Sequence, residues 1–207
     1  MNLLPSGLYV ITDEKLRTRH DFVRKVSEAA AAGARVIQLR EKASRLRDRL
    51  QLARAAVRAA RARGARLIIN DDPALSAAIG ADGVHIGRDD ASVREARALL
   101  GPAALIGVSC YGDVDAAVRA QREGADYVSF GACFRSPTKP GEEIVPLRVF
   151  AGARRRVKVP LVAIGGITAA NAPAVLAAGA DIVSVVSSVF ARGSVSRAVA
   201  EFKRRKI

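Results

Sequence analysis

Residues 124–131 read Gly-Ala-Asp-Tyr-Val-Ser-Phe-Gly, and this order of Gly-Ala, one further residue and a hydrophobic run recurs along the chain. Glycine ends a helix readily because it adopts the left-handed C-cap conformation, and short apolar segments suit buried parallel strands. Each occurrence therefore predicts a junction between a helix and a strand. The five occurrences are Gly33-Ala34-Arg35, Gly64-Ala65-Arg66, Gly80-Ala81-Asp82, Gly124-Ala125-Asp126 and Gly179-Ala180-Asp181.

These junctions and the remaining turn residues divide the chain into eight predicted strands with helical patterns between them. The predicted strands span residues 8–12, 35–40, 66–70, 83–85, 105–108, 127–131, 161–164 and 182–186. Eight strand–helix units in 207 residues leave about 26 residues for each unit, which suits a compact α/β fold, the (β/α)8 TIM barrel. A doubly wound open sheet is the structural alternative, because counting strands does not prove closure.

The composition fits one globular domain. With 50% hydrophobic and 26% charged residues, the chain is unlike a disordered or fibrous protein. No linker or change in composition divides it, so we expect a single TIM-barrel catalytic domain over residues 1–207. There is no apolar run long enough to span a membrane and no basic leader at the N-terminus. We therefore expect a soluble, cytoplasmic protein without a membrane partner, in which Cys110 and Cys133 are reduced thiols.

The chain carries 34 Lys and Arg residues against 20 Asp and Glu residues, a formal net charge of +14. In residues 45–66 the arginines alternate with apolar residues, as on the outer face of an amphipathic helix. The densest clusters, 154–156 and 203–206, lie near predicted helix ends, where cations complement the helix dipole. Aromatic residues make up only 4% of the chain, which leaves little to stack on bases. We expect no nucleic acid partner, with an RNA-binding module as the non-enzymatic alternative.

In a TIM barrel the loops that follow the strands share one face, so polar residues directly after the predicted strands converge there. These residues are Gln38, Arg40 and Lys42; Asn70 and Asp71; Asp89 and Asp90; Ser109; Ser136, Thr138 and Lys139; Gly165 and Gly166; Ser187 and Ser188. The set is rich in cations, hydroxyls and carboxylates. It predicts a site for an anionic small molecule at this face.

Arg40 and Lys42 lie on the same side of an extended segment and together favour an anion, although a salt-bridged strand end explains them equally well. Asp71 and Asp90 supply carboxylate oxygens of the kind that hold Mg²⁺ jointly with phosphate. Helix capping is the alternative for these acidic segments, and we favour it for Asp72, which precedes a proline. The loops after strands seven and eight predict a phosphate cradle.

Covalent catalysis is not indicated. Neither His20 nor His85 forms a nucleophile–base pair with an obvious serine, and neither cysteine lies in a catalytic signature. We interpret His85 as a packing or hydrogen-bonding residue at a strand end.

Taken together, these motifs resemble the thiamine phosphate synthase family and, more widely, the thiazole tautomerase group. The matching segments are 8–12, 38–42, 70–71, 83–87 with Asp90, 107–112, 136–140, 165–167 and 185–187. The resemblance implies a barrel enzyme, a transferase that joins hydroxymethylpyrimidine diphosphate to hydroxyethylthiazole phosphate and releases pyrophosphate. It also implies a dissociative mechanism in which positive groups neutralise the leaving pyrophosphate.

The resemblance also assigns roles to residues. Asp71 and Asp90 are expected to hold Mg²⁺. The diphosphate is expected to contact Arg40, Lys42, Asn70, Ser109 and Lys139, of which Arg40, Lys42 and Lys139 form the catalytic set. Gln38 is expected to contact the pyrimidine. The thiazole phosphate is expected to contact Thr138, Gly166 and Ser187, with Ser136 and Val186 beside them.

Some positions depart from common family usage. Tyr111 stands where many members carry histidine, Asp72 stands where arginine is frequent, and Ser136 and Ser188 replace threonine and alanine. We expect these changes to alter fine contacts only. A relative that isomerises thiazole phosphate is the nearest alternative function, and it would not need the Mg²⁺ carboxylates. The sequence leaves open the oligomeric state, a homodimer included, and whether a carboxylated thiazole is the acceptor.

Overall fold

The computed structural model of the chain describes residues 4–5, 7–12, 19–40, 46–136, 141–205 and 207. Its eight strands are parallel, and they close in chain order into a barrel in which β8 pairs with β1. The prediction of a TIM barrel is therefore confirmed, and the open-sheet alternative is wrong. The register is continuous around the ring, from Tyr9 opposite Val36 to Tyr9 opposite Ser184.

Each strand agrees with its predicted bounds to within one residue at either end. The strands are β1 Leu8–Ile11, β2 Val36–Leu39, β3 Arg66–Asn70, β4 Gly83–Ile86, β5 Leu105–Ser109, β6 Tyr127–Phe130, β7 Leu161–Ala163 and β8 Ile182–Val185. The helices are α1 Arg19–Ala32, α2 Leu46–Arg61, α3 Pro73–Ile79, α4 Val93–Leu100, α5 Val114–Glu123, α6 Arg148–Arg154, α7 Ala172–Ala177, α8 Ser187–Phe190 and α9 Val195–Arg204. Among these helices, none is long and apolar enough to cross a membrane.

The hydrophobic core has two layers, because both faces of every barrel strand are covered. The outer layer lies between strands and helices and includes Phe22, Phe150 and Phe202. The inner layer fills the barrel and includes Tyr9, Tyr127 and Ile68, each at most 1% exposed. Alternate residues of a strand therefore point to the helices or into the barrel.

The predicted junctions are confirmed. All five Gly-Ala glycines have positive φ, from 62° at Gly80 to 111° at Gly33. At Gly80 and Gly124 the glycine caps α3 and α5 in the left-handed conformation, and its amide donates to carbonyls of the last helical turn. The glycine thus ends the helix, and the following alanine leads into the next strand.

Three of the junctions end on aspartate, and these form a repeated ion pair at the N-terminal end of the barrel. Each carboxylate accepts a hydrogen bond from an amide of the preceding strand, at 2.7–2.8 Å, and pairs with an arginine of the helix before that. The sets are Asp82 with Leu67 and Arg61, Asp126 with Ile106 and Arg97, and Asp181 with Leu161 and Arg154. We call them the junction ion pairs. They hold α2, α4 and α6 to the starts of β4, β6 and β8.

Candidate active site

A cavity of about 160 Å³ opens at the C-terminal ends of the strands. It brings together every predicted substrate-binding residue that the structure describes. These are Gln38, Arg40, Asn70, Ser109, Ser136, Gly166, Val186 and Ser187. The other three, Lys42, Thr138 and Lys139, lie outside the described residues. Side chains from β2, β3, β5 and the loops after β6, β7 and β8 thus meet at one place.

The end of β2 is fixed in position by Thr12, which is 1% exposed. The Thr12 amide donates to the Gln38 carbonyl at 3.0 Å, and the Thr12 hydroxyl accepts from the Arg40 amide at 3.0 Å. These bonds hold the backbone on both sides of Leu39. Gln38 and Arg40 consequently enter the cavity from a rigid strand end, as their alternation predicted.

Polar side chains inside the barrel form a continuous chain of hydrogen bonds, which we call the interior network. The Gln38 amide nitrogen donates to the Tyr9 hydroxyl at 3.0 Å, and the Tyr9 and Tyr127 hydroxyls lie 3.0 Å apart. His85 Nδ1 lies 3.2 Å from the Tyr127 hydroxyl, and His85 Nε2 lies 3.1 Å from Ser109 Oγ. The network therefore connects β1, β2, β4, β5 and β6.

Glycine at position 107 makes room for this network. A Cβ there would lie 2.0 Å from the Tyr127 ring, so a side chain on β5 would expel the phenol from the barrel. The rings of Tyr127 and His85 stack at a centroid distance of 5.5 Å and an interplanar angle of 24°. Gly107 thus allows the aromatic packing that places the imidazole beside Ser109.

Burial changes the protonation of several groups around the cavity. Burial lowers the pKa of His85 from 6.5 to about 4, although Asp71 opposes the shift. The imidazole is therefore neutral at neutral pH. Burial raises the pKa of Tyr127 well above its ordinary value, and it raises the pKa of Cys110 to about 12 and of Cys133 to about 11. Both thiols remain protonated, and a protonated thiol is a poor nucleophile.

The two acidic residues that follow β3, Asp71 and Asp72, have different surroundings. Asp72 caps α3, accepting from the Leu75 amide at 2.8 Å, and pairs with Arg49 at 2.9 Å, so the capping interpretation is confirmed. Asp71 has φ of 64°, an uncommon backbone conformation for a residue other than glycine. It lines a wider groove of about 610 Å³ that adjoins the cavity at Asn70.

Asp90 lies in the exposed loop between β4 and α4, where its carboxylate accepts from the Gly87 amide at 2.6 Å. It does not cap α4, because Ser92 does so in a capping box with Glu95. Within the described ranges, no three His, Cys, Asp or Glu side chains cluster as a metal site. Mg²⁺ in phosphate-binding sites is held by one or two carboxylates together with substrate phosphates, so a pair of aspartates fits it.

The loops after β6 and β7 pack against each other and require the Gly165-Gly166 pair. These residues have φ of 96° and 61°, and a Cβ on Gly166 would lie 2.4 Å from the Arg135 carbonyl oxygen. Ser188 on α8 donates to the Ile167 carbonyl at 2.5 Å and ties the loop after β8 to the same wall. The loops after β7 and β8, which were predicted to form a phosphate cradle, thus pack together with the loop after β6.

Two buried serines of the cavity were missed by the sequence analysis, whereas Tyr111 was noted there for its departure from family usage. Ser129 and Ser184 line the cavity from β6 and β8, and the Ser184 hydroxyl, in a residue 2% exposed, has no partner in the described part of the chain. Tyr111 stands 44% exposed at the rim, with the Arg88 guanidinium 4.8 Å from its ring centre. Strand alternation places Ser129 inside with Tyr127 and was the available signal.

Comparison with known proteins agrees with this geometry. A family model described as thiamine monophosphate synthase matches residues 8–189. The chain belongs to the thiamine monophosphate synthase family. The thiamine-phosphate synthase of Thioalkalivibrio sulfidiphilus is 48% identical over 90% of this chain and 88% of that protein. The thiamine-phosphate synthase of Thiobacillus denitrificans is 45% identical over 99% of this chain and 96% of its own length.

Solved structures agree as well. Thiamine phosphate pyrophosphorylase from Pyrococcus furiosus superposes with a TM-score of 0.85 at 32% identity, covering 96% of this chain and 94% of its own. A 3-hexulose-6-phosphate synthase at 17% identity, with a TM-score of 0.73, shares the fold alone. Membership of the thiamine monophosphate synthase family confirms the predicted resemblance, the enzyme class and the assignment to thiamine biosynthesis as a transferase. The roles of individual residues, Mg²⁺ and the cytoplasmic location stay predictions.

Proposed function

We propose that this protein joins hydroxymethylpyrimidine diphosphate to hydroxyethylthiazole phosphate, or to its carboxylated form, and yields thiamine phosphate and pyrophosphate. The observation that carries the proposal is the single cavity at the C-terminal end of the barrel. It is lined by a guanidinium, two side-chain amides and several hydroxyls, which come from β2, β3, β5, β6 and β8 or the loops after them. Both substrates are phosphate esters, and these groups are suited to bind them.

The proposed reaction is dissociative. The bond between the pyrimidine methylene carbon and the diphosphate oxygen breaks first, and its electron pair leaves with pyrophosphate. The aminopyrimidine stabilises the methylene cation, which the thiazole nitrogen then captures to form the new C–N bond. This nitrogen carries no proton, so no general base is needed. A site with a neutral His85 and protonated thiols is compatible with that chemistry.

Neutralisation of the departing charge is the main task of the protein in this scheme. Arg40 enters the cavity from the rigid end of β2 and is proposed to bind the diphosphate, together with Lys42 and Lys139. Asn70 and Ser109 are proposed to donate hydrogen bonds to the same group. Preorganised donors of this kind stabilise a leaving anion better than water does, because they need no reorganisation.

Asp71 and Asp90 would hold Mg²⁺ in this proposal. When bound there, the ion would supply positive charge that stabilises the leaving group. Asp71 adjoins Asn70, and Asp90 belongs to the loop after the neighbouring strand β4. The two carboxylates thus follow adjacent strands, β3 and β4, and this order supports the assignment.

The thiazole phosphate is proposed to bind on the opposite side, at the packed loops after β7 and β8. The helix α8 begins at Ser187, and the first amides of a helix have no acceptor within it. Gly166, Val186 and Ser187 line this side, with Ser136 beside them, and Thr138 is proposed to join them. Gln38 is proposed to hold the pyrimidine ring between the two anions.

The decisive experiment mixes the purified protein, Mg²⁺ and both substrates, and measures pyrophosphate and thiamine phosphate together. We expect the two products in equal amounts, and neither when one substrate is omitted. Parallel reactions with plain and carboxylated thiazole phosphate identify the acceptor. Isomerisation of a thiazole phosphate without Mg²⁺ or the pyrimidine would instead identify a tautomerase. Salt-sensitive RNA binding without turnover would identify a nucleic acid module.

A further inference from the structure

The interior network ends on a residue that faces the cavity. We propose that His85 is a positioning residue whose Nε2–H donates to Ser109 and thereby turns the Ser109 hydroxyl proton toward an anionic oxygen in the cavity. That this oxygen belongs to the diphosphate rests on the proposed function. The direction of the hydrogen bonds does not, because it follows from the contacts inside the barrel.

The direction follows from counting protons along the network. Among the described residues, the Tyr9 hydroxyl contacts only Gln38 and Tyr127, each at 3.0 Å. Since the Gln38 amide nitrogen faces Tyr9 and donates to it, the Tyr9 proton must go to the Tyr127 oxygen. With Gln38 in this orientation, any other direction would leave the proton of Tyr9, a residue 1% exposed, buried without an acceptor, which is costly.

The same count of protons then determines which nitrogen of the His85 imidazole carries its proton. The Tyr127 oxygen already accepts from Tyr9, and its own proton points to His85 Nδ1 at 3.2 Å. Nδ1 is therefore the acceptor nitrogen, and the single proton of a neutral imidazole lies on Nε2. Nε2 lies 3.1 Å from Ser109 Oγ and 3.4 Å from Ser129 Oγ, so it donates mainly to Ser109.

This direction gives the cavity the polarity that an anion needs. Ser109 accepts from His85 and keeps its own proton for a ligand. If the chain ran the other way, Gln38 would present its oxygen to Tyr9 and Nδ1 would carry the proton. Ser109 would then donate to His85 and turn lone pairs toward the cavity, which repel an anion. The buried tyrosines thus decide which sign of charge Ser109 can bind.

The direct test is the tautomer of His85 in the ligand-free full chain. The protein has only two histidines, and His20 is exposed, so it serves as an internal reference. Long-range ¹H–¹⁵N correlation on protein labelled with ¹⁵N-histidine distinguishes a protonated nitrogen from an unprotonated one. At neutral pH we expect His85 to carry its proton on Nε2 alone. A proton on Nδ1, or on both nitrogens, would overturn the proposal.

Two matched variants separate this role from a merely structural one. Tyr9→Phe and Tyr127→Phe each delete one hydroxyl from the same buried network, but only Tyr127 donates to His85. We expect the Nε2–H tautomer to persist in Tyr9→Phe, because the buried Tyr127 proton still has Nδ1 as its acceptor, and to lose its dominance in Tyr127→Phe. An unchanged tautomer in Tyr127→Phe, or the same change in both variants, would contradict the assignment.

A binding measurement connects the tautomer to the anion. In glutamine the amide nitrogen can take the place of Nε2, whereas asparagine reaches only the position of Nδ1. We expect the affinity for inorganic pyrophosphate, measured by calorimetry with Mg²⁺, to fall about tenfold in His85→Asn and in Ser109→Ala, and less than about threefold in His85→Gln. Equal losses in the two His85 variants would argue against positioning.

The outcomes are distinguishable from those of the proposed function. If thiamine phosphate forms but Nδ1 carries the proton, only the present proposal fails. If no condensation is observed while Nε2 carries the proton, the proposed function fails and the direction of the network stands.

Discussion

At the N-terminal end of the barrel, Asp82 and Asp126 are 7% and 10% exposed and each is held by a strand amide and an arginine. At the C-terminal end, Asp71 lines an open groove and Asp90 lies in an exposed loop. All four residues are aspartates, but the carboxylates of Asp82 and Asp126 make contacts that stabilise the fold, whereas Asp71 and Asp90 face solvent. For these four aspartates, the position relative to strand direction thus separates side chains that stabilise the barrel from those that can serve a ligand.

The sharpest way to break this comparison is to neutralise a carboxylate at the C-terminal end. We expect Asp71→Asn to lower kcat by at least about 100-fold and to weaken the dependence on Mg²⁺, because the leaving charge is no longer compensated. Asparagine tolerates the left-handed backbone at this position, so thermal unfolding should be unchanged. Steady-state assays over a range of Mg²⁺ concentrations measure the effect.

Asp72→Asn is the matched control for this prediction. Asparagine caps a helix as well as aspartate does, and Asp72 caps α3. We expect its kcat to stay within about threefold of the parent protein. A control variant that is as inactive as Asp71→Asn would show that the effect at Asp71 reports the local fold and not the metal.

The converse change, at the N-terminal end, should cost stability and spare activity. Asp126→Ala removes the partner of Arg97 and the acceptor of the Ile106 amide, and we expect a loss of about 2–4 kcal/mol in the free energy of unfolding. Urea unfolding measures it. Asp115→Ala, which breaks an exposed pair with Arg156, should cost under about 1 kcal/mol. Similar costs for both would remove the distinction between junction and surface ion pairs.

The interior network predicts a pH effect of intermediate size. The folded pKa of His85, about 4, lies below the ordinary 6.5, so the unfolded chain binds the proton first as the pH falls. Stability should therefore decrease between about pH 7 and about pH 5, by about 2 kcal/mol from this group alone. Urea unfolding at both pH values, compared with His85→Gln, isolates the contribution. An identical pH dependence in the variant would exclude His85 as its source.

A smaller effect is expected at the packed loops. Ser187→Ala should raise KM for thiazole phosphate about tenfold, which corresponds to one lost hydrogen bond to a charged group. KM for the pyrimidine diphosphate should not change, because Ser187 is assigned to the thiazole phosphate. The midpoint of thermal unfolding should not change either, because the Ser187 side chain lines the cavity. Equal increases of KM for the two substrates would contradict the division of the cavity into two halves.

The smallest expected effect is a difference in the free energy of unfolding between variants of two buried serines. Ser76 donates to the Gly83 carbonyl at 2.9 Å, and Ser76→Ala should cost about 1 kcal/mol. The Ser184 hydroxyl has no acceptor in the described residues, so Ser184→Ala should change stability by less than about 0.5 kcal/mol, or increase it slightly. Chemical unfolding of both variants checks the difference. A larger loss for Ser184 would indicate an undetected partner in the barrel.

Much of the fold is readable from the sequence, because the Gly-Ala junctions are local signals with a local physical cause. Gly80 and Gly124 end their helices in the predicted conformation, and Asp72 caps its helix as predicted. Barrel closure was not readable in this way, since the pairing of β1 with β8 joins opposite ends of the chain.

The site was predictable only in part. Residues directly after strands, such as Arg40 and Ser109, were found because the direction of parallel strands brings them to one face. Tyr9, Tyr127 and Ser129 were missed. Strand alternation places Ser129 on the same face as Tyr127, but both faces of a barrel strand are buried, so hydrophobicity alone does not tell which face points into the barrel. His85 was expected to pack or to form hydrogen bonds, and the structure confirms that it does both.

The spacing of the junction ion pairs also governs where this chain can be recombined with a relative. Each pair joins an even-numbered helix to the start of the strand numbered two higher. Arg61 of α2 pairs with Asp82 before β4, Arg97 of α4 with Asp126 before β6, and Arg154 of α6 with Asp181 before β8. A chimera whose breakpoint lies within 83–96 or 127–153 inherits both residues of each pair from the same parent. A chimera whose breakpoint lies within 62–81, 98–125 or 155–180 takes the arginine of one pair from one parent and its carboxylate from the other. Chimeras of the first kind retain the original pairing of charges, and the barrel is in this sense built from exchangeable blocks of two strands.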